Sequence, residues 1–136
     1  MATRRQLIWK RAHGRCEYCQ LAQVHTNLPH EVDHIRAKKH RGPTNLQNTC
    51  LTCAYCNAAK GPCAAGFDPE TDQLVPLFNP RLDNWTEHFV WNGPILEGRT
   101  AIGRATIAVL GINRAERIAH RRLLLEAGPQ ASDREG

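Results

Sequence analysis

The sequence predicts a small α+β protein with helices near both ends and a β-hairpin in its C-terminal half. Three observations carry that class. Two Cys-x-x-Cys knuckles, Cys16/Cys19 and Cys53/Cys56, flank a short strand pattern built on Val32 and Ile35. The second knuckle opens a short helix that Gly61-Pro62 stops, since a glycine cap followed by proline cannot continue it. Further on, His88-Phe89-Val90-Trp91 and Ile95-Leu96-Glu97 flank the turn Asn92-Gly93-Pro94, which reads as the hairpin.

At 136 residues the chain suits a single domain, assigned to 1–128, with 129–136 expected to be a disordered tail after Gly128-Pro129. Eighteen Lys plus Arg against thirteen Asp plus Glu give a net charge of +5, the sign expected for a phosphate-rich partner. No apolar run approaches the ~18 residues a membrane span needs. The start, Met-Ala-Thr-Arg-Arg-Gln-Leu-Ile-Trp-Lys, lacks a continuous apolar signal core, so the expected location is the cytoplasm.

Six cysteines are present, and in a reducing compartment paired thiols hold metal more often than they form disulfides. Cys16, Cys19, Cys53 and Cys56 supply four thiolates, which closes a tetrahedral structural zinc site and leaves no position for water. Cys50 and Cys63 fall outside the pattern, and Cys50, beside Leu51, reads as a small buried residue.

In chain order, residues 4–13 place Leu7, Ile8 and Ala12 at helical spacing, and Gly14 ends that helix. Its basic residues, Arg4, Arg5, Lys10 and Arg11, read first as a solvated face. Residues 20–29 show no period and form a loop. Residues 30–35 form a short strand, on which neighbours Asp33 and His34 point to opposite faces unless the strand ends or bulges there. Arg36, Lys38, Lys39, His40 and Arg41 make a basic loop before Gly42-Pro43, placed to clamp a nucleic-acid backbone. Thr44 or Asn45 can cap a helical turn through Asn48, whose amide can hold backbone groups of the loop. In the helix after the second knuckle, Asn57 and Lys60 are three apart and share a face. Residues 64–81 read as a wrapping segment with an extended piece at 74–78. A helix near residues 100–110 follows the hairpin, and Asn113 with Glu116 suggests a capping box opening the last helix.

The run Glu-Val-Asp-His-Ile, then Asn-Leu-Gln-Asn, then Cys-Leu-Thr-Cys-Ala-Tyr-Cys-Asn-Ala-Ala-Lys resembles the HNH endonuclease motif. The resemblance implies a treble-clef or ββα-metal finger with a catalytic core at about residues 30–62 and an extension over 64–128. It implies His34 as the base that activates water and Asn48 as the brace of the loop. Asp33 and Asn57 would be ligands of a catalytic Mg2+ or Mn2+ ion. Asn57 stands where histidine is common and matches the Asp-His plus late Asn subset, as in the HNH domains of RNA-guided CRISPR nucleases. His40 matches a His-Gly-Gly segment, with Arg41 in place of the first glycine. Asn79-Pro80-Arg81, Trp85, His88-Phe89 and Gly103-Arg104 resemble the tail of standalone bacterial HNH endonucleases. The implied reaction is hydrolysis of phosphodiester bonds in DNA, most simply double-stranded, giving 5′-phosphate and 3′-hydroxyl ends. Lys38, Lys39, Arg41 and Lys60 would contact phosphate. Histidine, with an ordinary pKa of about 6.5, is a serviceable base near neutral pH. Two other readings stay open: a catalytically inactive zinc-stabilised DNA-binding module, and an RNA-directed nuclease, because recognition of the 2′-hydroxyl has no short signature.

Overall fold

A computed structural model describes residues 1–128 of the chain. The expected disordered tail, 129–136, lies outside the described residues. The architecture is α+β, with five α-helices and three two-stranded antiparallel sheets among the described residues. Two compact units make it up: Met1–Pro62 and 63–128.

The first unit begins with α1 (Arg4–Arg11), held at its start by a reciprocal capping box between Thr3 and Gln6. Ile8 is its buried residue. Two of its arginines tie down other backbone: Arg5 donates to the His30 carbonyl (3.0 Å), and Arg11 to those of Leu46 (2.8 Å) and Thr49 (2.6 Å). The face read as solvated is therefore partly structural.

Strand β1 (Glu31–His34) pairs with β2 (Thr49–Thr52), with Asp33 opposite Cys50 and His34 opposite Thr49. No strand is expected at β2 from the sequence, because four residues between a turn and a knuckle are too few to display a period of two. All four are nevertheless buried, and Cys50 and Leu51 have no exposed surface. The seven-residue α2 (Ala54–Lys60) starts at Cys53, whose Sγ accepts from the Cys56 N–H, and stops at Gly61, where φ is +51°. It packs on β1.

In the second unit, the segment read as wrapping contains a small ribbon, β3 (Ala65–Phe67) with β4 (Leu74–Pro76). A single turn, α3 (Trp85–His88), precedes β5 (Phe89–Asn92), which pairs with β6 (Ile95–Gly98). Helix α4 (Ala101–Leu110) is capped by the Thr100 hydroxyl and packs on β3, β4 and β6. Phe78 and Phe89 meet edge to face at 5.3 Å in the core of this unit. Buried Asp68 takes a bidentate pair of 2.9 Å bonds from Arg104.

The last helix, α5 (Ala115–Ala127), has Arg114 at its N-cap with no side-chain cap bond, so the Asn113–Glu116 capping box does not form. The Asn113 amide is engaged elsewhere: it accepts from the Leu96 N–H (3.0 Å) and donates to the Leu96 carbonyl (2.7 Å), continuing the edge of β6 as a strand would.

Candidate active site

The two knuckles converge as the spacing requires. The ligand atoms of Cys16, Cys19, Cys53 and Cys56 lie within 4.8 Å of one another, and all four residues are buried. Cys19 and Cys53 sulfurs stand 3.7 Å apart. A tetrahedron with Zn–S bonds of about 2.3 Å has edges of about 3.8 Å, so the set fits zinc in geometry as well as chemistry. Backbone N–H groups of Cys19 and Cys56 point at the sulfurs of Cys16 (3.5 Å) and Cys53 (3.4 Å), polarity that favours thiolate. Hydrogen bonding from Cys16 pulls the Cys53 thiol below its ordinary range, whereas burial pushes Cys16 up. Cys50 lies outside the cluster, its thiol pushed up by burial, and Cys63 is exposed.

The metal knuckle is joined directly to the sheet. Glu17 gives its N–H to the Leu51 carbonyl (2.8 Å) and takes the Leu51 N–H on its carboxylate (2.8 Å). Strand β2 thus pairs with β1 on one side and with the first knuckle on the other, which places β1 relative to the four cysteines.

Asp33 is nearly buried, and its Oδ2 lies 2.9 Å from the ammonium of Lys60. Lys60, expected at the substrate phosphate, is itself only 2% exposed and donates a second bond, 3.1 Å, to the His34 carbonyl. The cause is geometric: α2 lies against the face of β1 that carries Asp33, so the long lysine stem runs through the interface. Burial raises the Asp33 carboxyl above its ordinary range, and the Lys60 charge counteracts this. Asn57, on the same face of α2, gives its Nδ2 to the Glu31 carboxylate at 2.9 Å.

His34 points the other way, as strand alternation dictates, and its Nε2 sits 2.8 Å from the Thr44 hydroxyl. The capping role at that turn belongs to Asn45, which accepts from the Asn48 N–H (2.9 Å). Because β1 ends at His34, both Asp33 and His34 still line one cleft of about 300 Å³, together with Val32, Ala37, Lys38, Lys39, Gly61 and Pro62.

The Asn48 side chain accepts from the Arg36 N–H (2.9 Å) and donates to the carbonyls of Arg36 (3.0 Å) and Pro43 (2.8 Å). It spans the basic loop. Arg41 takes the left-handed conformation (φ +65°) that a glycine would adopt there. Lys38, Lys39 and Arg41 are all exposed.

Sequence reasoning missed Glu31 and Thr44. The signal for Glu31 was available, since residues two apart on a strand share a face. None existed for Thr44, which reaches His34 only through the return of the loop.

For a divalent ion the donors are hard: the Asp33 carboxylate and the Asn57 amide oxygen. The Lys60 ammonium beside Asp33 marks a place where this structure already stabilises positive charge. In donor chemistry the two residues suit such an ion, with the Lys60 ammonium already on one oxygen of Asp33.

Residues 16–62 match the family model described as HNH endonuclease. Among curated proteins, the chain is similar to the Septu protein PtuB of Bacillus thuringiensis, at 25% identity over 116 residues. That alignment covers 84% of this chain and 42% of the relative, so the chain spans less than half the length of the curated relative it matches. No solved structure matches it. Among the described residues, no helix is long and apolar enough to cross a membrane.

Proposed function

From the match of residues 16–62 to the HNH endonuclease family model, we propose that the protein hydrolyses phosphodiester bonds in double-stranded DNA. The observation that carries the reading is the shared cleft: Asp33, His34, Lys38 and Lys39 line one concavity, which puts a base, a carboxylate and phosphate-binding cations around one substrate position. We read Met1–Pro62 as a treble-clef finger of the ββα-metal type, with its catalytic core at about residues 30–62 and 64–128 as an extension serving the same endonuclease in the cytoplasm.

Four buried thiolates make the zinc structural, with no open position for water. Asp33 and Asn57 would hold the catalytic Mg2+ or Mn2+, which when bound supplies Lewis-acid stabilisation of charge on the phosphoryl and leaving oxygens. His34 takes the proton from the attacking water at Nδ1, the ring nitrogen that Thr44 leaves free. Asn48 keeps the loop, and with it Lys38, Lys39 and Arg41, in place for the DNA backbone. The products carry 5′-phosphate and 3′-hydroxyl ends.

A second reading, a zinc-stabilised DNA-binding module without catalysis, is favoured by one observation: Lys60 already neutralises Asp33. Purified protein incubated with supercoiled plasmid, with and without Mg2+ or Mn2+, separates the two. Expected is ion-dependent cleavage that His34→Ala lowers by a factor on the order of 10² to 10⁴ while DNA binding persists. Binding without cleavage by the unmodified protein would make the module the better reading, and cleavage of RNA in preference to DNA would reassign the substrate.

A further inference from the structure

We propose that Glu31 is a positioning residue for the ion site: its carboxylate fixes the Asn57 amide with the carbonyl oxygen turned away from Glu31 and open to an ion. This rests on the reading of Asn57 as a ligand.

Strand periodicity places Glu31 and Asp33 on one face of β1, and helical periodicity places Asn57 and Lys60 on one face of α2. The two faces meet through two contacts of the same length, Asn57 Nδ2 to Glu31 Oε2 and Lys60 Nζ to Asp33 Oδ2, both 2.9 Å. An amide has a donor end and an acceptor end, and at ordinary temperature either can face a neighbour. A carboxylate accepts only, so Glu31 selects the NH2 end. Asn57 Oδ1 then faces away from Glu31, and among the described residues it accepts no hydrogen bond. It is left free for a cation. Without Glu31 the amide would be free to turn its NH2 group toward the same place, where it repels a cation. Glu31 is exposed and its carboxylate has Asn57 as its side-chain partner, so its replacement leaves the core intact.

Removing the group that orients a metal ligand weakens metal affinity by about 10- to 100-fold in general. The test is Mn2+ binding to the zinc-loaded full chain, followed by electron paramagnetic resonance of free Mn2+, with zinc content and thermal midpoint checked for every variant. Expected is a loss of about tenfold in Mn2+ affinity for Glu31→Ala, no larger than that of Asn57→Ala. The double variant should be no weaker than Asn57→Ala alone, because the carboxylate acts through the amide. Glu31→Gln, whose amide donates as well as accepts, no longer selects the NH2 end of Asn57 and should lose affinity much as Glu31→Ala does. Unchanged affinity in Glu31→Ala, additive losses in the double variant, or a Glu31→Gln that keeps full affinity each overturn the proposal while leaving Asn57 a ligand. Unchanged affinity in Asn57→Ala overturns the ligand assignment and the proposal with it.

Discussion

Gly42 and Lys60 are positions where a single residue type is imposed by its surroundings. A Cβ on Gly42 would stand 1.7 Å from the Arg36 carbonyl oxygen and 2.8 Å from Asn48 Nδ2, inside the bracket that Asn48 makes across the loop. Gly42→Ala should therefore cost about 2 kcal/mol in thermal denaturation and lower cleavage more than DNA affinity. Lys60 is the counter-charge of a buried carboxylate, so Lys60→Met leaves Asp33 uncompensated, at a cost of about 3 kcal/mol near neutral pH. The sign of its pH dependence follows from Asp33. Its carboxyl is already held above the ordinary range by burial, and losing Lys60 raises it further. The folded variant then binds that proton more tightly than the folded unmodified protein does, so its stability relative to the unmodified protein falls as pH rises from the Asp33 value of the unmodified fold to that of the variant. Urea denaturation of both proteins between pH 5 and 8 measures the gap. A gap that narrows as pH rises contradicts the assignment.

Among the elements, α2 was legible because everything that defines it is local: a knuckle cysteine at its start and Gly61-Pro62 at its end. Strand β2 was not, since its four residues show no alternation and are buried on both sides by partners distant in sequence. The start of α5 shows how a local signal can be overridden. Asn113 and Glu116 have capping-box spacing, yet the Asn113 amide completes the edge of β6 at Leu96. Asn113→Ala should consequently cost about 1 to 3 kcal/mol by unpairing partly buried backbone groups, whereas Glu116→Ala should stay within about 0.5 kcal/mol. A capping box in solution would make the two losses comparable, which guanidinium denaturation would reveal.

For the whole molecule, the zinc and the charge make the clearest predictions. The purified chain should carry about one zinc per molecule, and Cys53→Ser should lose the ion together with the folded structure of Met1–Pro62. Elemental analysis and circular dichroism test this, and a stable, zinc-free Cys53→Ser would exclude the structural assignment. DNA affinity should fall steeply with salt, and neutralising Lys38, Lys39 and Arg41 together should flatten that slope equally for unrelated sequences. An unchanged slope would remove the basic loop from the interface.

The sequence by itself determined what depends on residue type and short spacing: the two cysteine pairs, the helix stops, the basic loop and the adjacent Asp33 and His34 on a short strand. These are local properties, because a ligand's chemistry resides in its side chain and a Cys-x-x-Cys turn brings two ligands together unaided. Only the tertiary structure decided the partners. Lys60 reaches His34 across 26 residues, Glu31 meets Asn57 across 26, and Arg11 ties Thr49 across 38. A lysine reads as a surface cation in any one-dimensional pattern, since burial of its charge is favourable only where a carboxylate and a carbonyl oxygen already wait in the interior. Such an arrangement exists only once β1 and α2 have packed.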